Sequence, residues 1–246
     1  MITTDKLNFF LMFCCPPRTG HTLIASILNA HPNVVCSNQR HILQDIENLN
    51  MTTLTSHIET RLDRSCWNPN SYIDPMPKGE IKVLGDKTGH RSVEVLISNP
   101  EKLDILKSIV NVPIKWIHVV RNPFDSLATW TKISSESNKN PISVEYNALL
   151  PTFISLNDKI AELKNTEEVL TIIHEKAIRN IDGTLNSLCQ FLHLEKNPEW
   201  MKRVKKTLWK DPRITRKNIN WNPNMRAKAI TLTKQYPWFE GYAFGG

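Results

Sequence analysis

The chain has 246 residues, of which 40% are hydrophobic and 22% charged, the proportions of an ordinary globular protein. This length lies between one large domain and two small ones. Because no internal repeat or strong boundary divides the sequence, we expect a single domain over residues 1–246. The formal net charge of +7 favours an anionic partner, such as nucleic acid, an acidic membrane surface or a polyanionic ligand, although a solvated basic surface would give the same balance.

Cysteine usage and hydropathy indicate the setting in which the protein works. Neither a zinc site nor a disulfide framework is indicated, because the five cysteines are widely spread and lack CxxC spacing; they are Cys14, Cys15, Cys36, Cys66 and Cys189. The apolar stretch 7–15 is too short to span a bilayer and runs into Pro-Pro-Arg instead of a small-residue cleavage site. We therefore expect a soluble, cytoplasmic protein without a membrane span.

The chain alternates between strand and helix patterns. Short apolar runs predict strands at residues 7–15, 33–37, 81–87, 113–120 and 168–173. Helical spacing of apolar residues predicts helices at residues 21–30, 101–109, from 123 through 130, after residue 141 and at 184–194, and a mainly helical region at 39–63. Turn-forming residues predict a long loop at 65–79 and a linker at 134–141.

This alternation predicts the fold class. Strands that alternate with helices indicate a parallel sheet covered on both faces, hence a three-layer α/β/α domain around about five parallel strands. Ligands of such sheets bind at the carboxyl ends of the strands. The segments that directly follow the strands are therefore the first places to look for functional residues.

The segment PPRTGHT, residues 16–22, directly follows the first strand and predicts an anion site. Unpaired amides at a helix N-terminus favour phosphate or sulfate. Gly20 allows close approach of the backbone, Thr22 offers a hydroxyl and Arg18 a charged fork. A P-loop of the form GxxxxGK[ST] is a poor match, because Cys15 and His21 stand at its first Gly and its Lys. An ordinary β–α turn is the alternative reading.

The segment WIHVVRNPFDSLATW, residues 116–130, predicts a second anion site. Its apolar strand ends at Arg121, and the hydroxyl of Thr129 follows eight positions later, so both side chains can contact one phosphate. A strand of the Walker B type would end in an acidic residue that holds Mg²⁺. The alternative is a surface arginine beside a helix that begins at a proline.

Together the two segments resemble the nucleotide motifs of sulfotransferases that use 3′-phosphoadenosine-5′-phosphosulfate (PAPS). PPRTGHT is similar to the 5′-phosphosulfate loop, often PKSGTT or PRSGTT, and RNP with a hydroxyl eight residues on is similar to the 3′-phosphate motif. The resemblance implies the P-loop NTPase-like sulfotransferase fold, PAPS as co-substrate, PAP as product and no metal. The residues that it places against the nucleotide are Arg18, Thr19, Gly20, His21, Thr22, Arg121 and Thr129.

Two further segments extend the resemblance. GDKTG, residues 85–89, is similar to the DK or EK element of bacterial and Golgi-type members, which places Lys87 near the transferring group, with Arg18 as the second catalytic cation. Residues 174–194 resemble the family's tail after the last strand, in which Glu175 is expected to be structural.

The general base is where the chain departs from the family. Many relatives carry a Glu shortly after the second strand, and Gln39 stands at that place. A neutral amide does not accept a proton as a carboxylate does. The nearest replacement is His41, whose imidazole has a suitable pKa, with Asp86 and His90 as further candidates. A surface histidine is the competing interpretation of His41.

The basic stretch 202–217, KRVKKTLWKDPRITRK, has three interpretations. It is a solvated face, it completes the 3′-phosphate site through Arg216 and Lys217, as a C-terminal Arg-Lys-Gly does in cytosolic relatives, or it attracts an anionic acceptor. Nucleic-acid binding is disfavoured because no recognised module accompanies the charge.

The sequence thus predicts a sulfotransferase that acts on a small-molecule or glycan acceptor, through a hydroxyl or an amine. A protein that binds PAPS or PAP without catalysis is the second hypothesis, and a P-loop kinase is the third. The acceptor is expected to be selected by the loops at 39–80 and 133–165.

Overall fold

The computed structural model describes residues 6–59, 73, 75–208 and 211–245. Five strands lie in these ranges, and each corresponds to a predicted one: β1 Phe9–Phe13, β2 Val34–Asn38, β3 Val83–Lys87, β4 Ile114–Val120 and β5 Glu168–Ile173. All four neighbouring strand pairs are parallel, in the order β2-β3-β1-β4-β5. The predicted parallel sheet is therefore confirmed.

The helices of the described ranges fill the connections between strands and the region after β5. They are α1 His21–Asn29, α2 Met51–Glu59, α3 His90–Ser98, α4 Lys102–Val110, α5 Pro123–Asn138, α6 Ile142–Thr166, α7 His174–Arg179, α8 Ile181–Phe191, α9 Pro198–Thr207 and α10 Pro223–Gln235. Short 3₁₀ turns lie at Ile46–Asn48, Arg216–Asn218 and Pro237–Phe239.

Side chains of the central strand β1 alternate between the two faces of the sheet, as strand geometry requires. Leu11 and Phe13 face a core shared with α1, α8 and α9. Phe10 and Met12 face the other core, which includes α3, α4 and α6. Because both faces are covered, β1 is apolar at every position, which is why the sequence shows a continuous apolar run.

A third apolar cluster joins the C-terminal region to α5 and α6. Phe124 and Phe153 pack there with Met225, Leu232 and Phe239. This packing places the segment 211–219 beside the start of α5. The position of that segment determines how the candidate site is built.

Two local predictions fail. The linker predicted at 134–141 is helical up to Asn138, because Ser134 and Asn138 hydrogen-bond the carboxylate of Glu145 at 2.6 and 3.1 Å and so stabilise the last turns of α5. Lys139, in the left-handed conformation at φ 56°, ends the helix. Helix α3 was not predicted. Of the loop predicted at 65–79, residues 65–72 and 74 lie outside the described residues.

Four of the five cysteines are buried and unpaired thiols; Cys66 lies outside the described residues. Across the described part of the chain, no helix combines the length and the hydrophobicity that crossing a bilayer requires.

Candidate active site

The carboxyl ends of β1, β3, β4 and β5 bring predicted residues, and one that was not predicted, to one edge of the sheet. The loop 14–20 follows β1, Lys87 ends β3, Arg121 follows β4 and His174 follows β5. The chain leaves the central pair β1 and β4 in opposite directions, toward β2 and toward β5. That reversal is where ligands bind in open parallel sheets.

The loop after β1 ends at Gly20, which caps α1 in the left-handed conformation at φ 93° and offers no side-chain hydrogen bond. The first turn of α1 contains no acidic residue, so its amides and the helix dipole remain available to an anion. A Cβ atom at position 20 would lie 2.3 Å from Nδ1 of His174. Position 20 therefore requires glycine for two reasons, the left-handed backbone and the close packing of the His174 ring.

Side chains within the loop divide into inward and outward groups. Thr19 is buried, and its hydroxyl donates to the carbonyl of Pro16 at 3.1 Å and lies 3.2 Å from Nδ1 of His21. The His21 ring is also buried and packs on Gly89. Arg18, with φ 65°, is exposed. Of the predicted loop side chains, Arg18 and the half-buried Thr22 are the ones open to a ligand, while Thr19 and His21 support the loop from inside.

Lys87 approaches this loop from β3. Its side chain is fully buried, and Nζ donates to the hydroxyl of Thr22 at 3.4 Å. The preceding Asp86 is also buried, and its oxygens accept from Ser37, from the amide of Arg40 and from Thr88. Because these contacts use both of its oxygens, Asp86 organises the turn after β2 and is a poor proton acceptor for a substrate.

The charges around Lys87 are predominantly positive. The pKa of His90 is lowered to about 4, mainly by burial and additionally by the neighbouring charges of Arg91, Arg18, Lys87 and His41. Burial and the charges of Lys87, His90 and Arg18 hold the pKa of His21 well below its ordinary value. Burial is the main cause of both shifts, and the contributions from Lys87 and Arg18 show that cations lie close to both rings.

Arg121 connects the second motif to the first. Its side chain is 8% exposed, Nη1 donates to the carbonyl of Arg18 at 3.0 Å, and Nη2 donates to the carbonyl of Arg213 at 2.8 Å. Nε is buried and has no hydrogen-bond partner in the described part of the chain. The two motifs, a hundred residues apart in sequence, are therefore in direct contact.

The hydroxyl of Thr215 connects the hydroxyl of Thr129 to the guanidinium of Arg121. Thr129 Oγ1 is 2.8 Å from Thr215 Oγ1, which accepts from Nη2 of Arg121 at 3.0 Å. Thr129 also donates to the carbonyl of Asp125 at 2.8 Å, within its own helix. The predicted pair Arg121 and Thr129 is thus brought together, with a residue that the sequence reasoning missed between them.

Arg216 and Lys217 have very different surroundings. Arg216 is 4% exposed, its Nη1 pairs with Oδ2 of Asp125 at 2.7 Å, and its Nε donates to the carbonyl of Phe244 at 2.7 Å. Lys217 is exposed. The Arg216 side chain therefore anchors its segment to α5, and Lys217 is the one of the two that is open to solvent.

The candidate bases follow β2 and β3. Gln39 and His41 both have positive φ, 55° and 58°, and their amides donate to the carbonyl of Lys87 and to the hydroxyl of Thr88, both at 3.0 Å. His90 begins α3, and its Nδ1 has no hydrogen-bond partner among the described residues. The charges of both Lys87 and His41 act on His90, so these three side chains lie in one neighbourhood.

Glu175 uses both of its oxygens within the protein. Oε1 accepts the amide of Asn122 at 2.9 Å, and Oε2 accepts the hydroxyl of Tyr242 at 2.6 Å. These contacts tie α7 to the start of α5 and to the C-terminal region, which agrees with the structural role expected from the sequence.

Two residues of the site were missed in the sequence. His174 directly follows β5, a position that the rule on strand ends could have flagged. Thr215 had no signal of its own inside a basic stretch. The described residues contain no group of three or more His, Cys, Asp or Glu side chains arranged to hold a metal ion.

Comparisons with known proteins concern the fold and the sequence family. No curated protein sequence matches the chain at a significant level. Solved structures of similar fold include the sulfotransferase domain of the Synechococcus PCC 7002 olefin synthase, at 15% identity and a TM-score of 0.55 over 96% of this chain and 98% of that one. Another is sulfotransferase STF9 from Mycobacterium avium, at 9% identity and a TM-score of 0.58 over 95% and 78%.

A third is mouse sulfotransferase SULT7A1 complexed with PAP, at 14% identity and a TM-score of 0.53 over 95% of this chain and 85% of that one. At these identities the likeness concerns the fold. The sequence itself matches the family profile described as "Sulfotransferase domain" over residues 11–220. The chain therefore belongs to the sulfotransferase family.

Proposed function

We propose that this protein transfers the sulfuryl group of PAPS to a hydroxyl or amine of an acceptor, without a metal, within one domain that spans residues 1–246. The observation that carries the proposal is the 3.0 Å hydrogen bond from Arg121 to the carbonyl of Arg18. It brings the two regions that we propose to bind anions into contact, as a nucleotide with separate 5′ and 3′ phosphate groups requires. The PAP bound to one structural neighbour supports the same ligand.

Three groups stabilise the transferring sulfuryl group in this proposal. Arg18 and the amides at the start of α1 contact its oxygens and the 5′-phosphate that leaves, and Lys87 approaches from β3 beside Thr22. Sulfuryl transfer resembles phosphoryl transfer, in which charge spreads over peripheral and leaving oxygens. Preorganised cations and N–H donors lower the barrier of such reactions.

The reaction is an in-line substitution at sulfur. A lone pair of the acceptor oxygen or nitrogen forms the new bond to sulfur, while the bond from sulfur to the 5′-phosphate oxygen breaks. That electron pair stays on PAP, which leaves as an anion next to Arg18. The acceptor's proton passes to a base in the protein.

His41 remains our first candidate for this base, and His90 becomes a strong second. The observation that favours His90 is its buried Nδ1, which has no hydrogen-bond partner among the described residues. Burial lowers the pKa of His90 to about 4, which keeps the ring neutral but makes it a weaker base than an ordinary imidazole. A neutral imidazole accepts a proton without first losing one. At the far end of the nucleotide, Arg121 and Thr129 bind the 3′-phosphate in this proposal, and Lys217 supplies further positive charge.

Conversion of radiolabelled PAPS to PAP and a sulfated product, measured over a panel of alcohols, phenols, sugars and amines, tests the proposal. We expect product with at least one acceptor class, and its loss in Arg18→Ala and Lys87→Ala. The base is identified by measuring turnover of His41→Gln and His90→Gln over a range of pH. The variant that lacks the base should lose turnover, and its pH profile should lose the decline on the acid side.

A non-catalytic PAP-binding protein is the second candidate function. The amide of Gln39, where relatives carry a carboxylate, is the feature that favours it. Tight PAP binding without product from any acceptor of the panel would support this alternative and contradict the enzyme proposal.

A further inference from the structure

Thr215 lies at the centre of the predicted 3′-phosphate site, although it belongs to neither motif. Its hydroxyl oxygen accepts from Nη2 of Arg121 at 3.0 Å and is 2.8 Å from the hydroxyl of Thr129. These are the two side chains assigned to the 3′-phosphate. A group that contacts both of them is within reach of any ligand that they share.

Contacts of the backbone also hold Thr215 in place, independently of its hydroxyl. Oδ1 of Asp125 accepts the amides of Thr215 and Arg216, both at 2.6 Å, and Oδ2 pairs with the buried guanidinium of Arg216 at 2.7 Å. These bonds hold the segment against α5. Replacement of the hydroxyl alone should therefore leave the segment in place.

The hydroxyls of this cluster have more oxygen contacts than hydrogens. Three close oxygen pairs connect Thr215, Thr129 and the carbonyl of Asp125, at 2.8, 2.8 and 3.0 Å. Two hydroxyl hydrogens serve at most two of these pairs. The Asp125 carbonyl belongs to α5, where helix geometry supplies it with an amide donor. Either hydroxyl can therefore turn to another acceptor at little cost.

Nε of Arg121 is a buried hydrogen-bond donor that lacks an acceptor among the described residues. Two rotatable hydroxyls and one unused guanidinium N–H, grouped around a cation, match an acceptor-only anion with several oxygens. A phosphate monoester has this chemistry.

We infer that the hydroxyl of Thr215 is a direct ligand of the 3′-phosphate and a determinant of selectivity for 3′-phosphorylated nucleotides. The inference rests on the proposed function, because it assigns a new ligand to the same nucleotide. It differs from the sequence-based expectation, which placed the C-terminal contribution on Arg216 and Lys217.

The test is calorimetric titration of the full chain with PAP and with 5′-AMP, which lacks the 3′-phosphate. Thr215→Val keeps the branched shape and removes the hydroxyl, and Thr215→Ser restores a hydroxyl. Thr207→Val is the matched control, because that hydroxyl donates to a helix carbonyl, of Arg203, on α9. Thermal unfolding verifies that each variant is folded, and Thr215→Ala replaces the Val variant if the latter is not.

We expect Thr215→Val to weaken PAP binding about tenfold, the size of one hydrogen bond to a charged group, and to leave 5′-AMP binding unchanged. Thr215→Ser should recover most of the loss, and Thr207→Val should bind as wild type. An unchanged ratio of PAP to 5′-AMP affinity in folded Thr215→Val would overturn the inference while wild type still prefers PAP. Absence of that preference in wild type would instead overturn the proposed function, and this inference with it.

Discussion

The loop between β1 and α1 and the cluster around Arg121 both lie at the carboxyl end of the sheet and both carry hydrogen-bond donors, but they are assembled differently. The first is contiguous: residues 16–22 supply its turn, its glycine and its cation. The second combines α5 with the distant Thr215 and the carbonyls of Arg18 and Arg213. A contiguous site can be recognised from sequence spacing, whereas an assembled site depends on tertiary packing.

Loss of the carboxylate of Asp125 should have the largest effect, because it holds the cluster around Arg121 together. Asp125→Ala leaves the buried Arg216 guanidinium without its ion pair and two amides without their acceptor. Removal of one partner of a buried pair costs about 3–5 kcal/mol. Urea unfolding measures this loss. Glu199→Ala is the control, because it breaks the more exposed ion pair between Glu199 and Arg203 and should cost less than about 1 kcal/mol. Equal costs would contradict the anchoring role.

Arg18→Ala tests whether the contiguous loop takes part in catalysis, since this substitution should change turnover and leave the stability of the fold unchanged. Because Arg18 is exposed, the fold should be unaffected, while loss of charge stabilisation should lower kcat about 10²–10³-fold. Turnover of PAPS with an acceptor from the panel measures the change, and Arg18→Lys, which keeps the charge, should retain part of the activity. Near-normal turnover of Arg18→Ala would exclude Arg18 from the transfer step.

Gly20→Ala tests the local geometry of the same loop. The left-handed φ of 93° disfavours any side chain, and the new Cβ would meet the ring of His174. We expect a loss of about 1–3 kcal/mol in unfolding free energy and weaker PAP binding. Gly79→Ala is the control, since the nearest atom to its Cβ would be 3.8 Å away. An equal loss of unfolding free energy in Gly20→Ala and Gly79→Ala would argue against a special role of Gly20.

Mild acidification should have the smallest effect per residue, through histidines that are buried in neutral form. The pKa of His118 is lowered to about 3 by burial, below the value of about 6.5 expected in the unfolded chain. The unfolded state therefore binds more protons, and stability falls as pH decreases through 6.5 toward 3. His118→Leu should reduce the stability change between pH 7 and pH 6 by about 0.5–1 kcal/mol. Unfolding curves at the two pH values check this, and an unchanged difference would contradict it.

Sequence patterns predicted the five strands and the loop after β1, because apolar runs and the Gly20 turn are local features. They also predicted Arg121 and Thr129 as a pair. They did not reveal that Thr215 lies between these two, because that position results from the Asp125–Arg216 ion pair and the packing of α5 with α10. For the same reason the sequence assigned Arg216 to the ligand, because its ion pair with Asp125 is formed only in the folded chain.

Calorimetric titration with PAP in the presence of EDTA tests the central claim, that the two regions form one nucleotide site. We predict PAP binding by wild type without a metal, no tighter binding of ATP–Mg²⁺, and strong loss of PAP affinity in Arg121→Ala. No PAP binding, or PAP binding that Arg121→Ala leaves unchanged, would contradict the account.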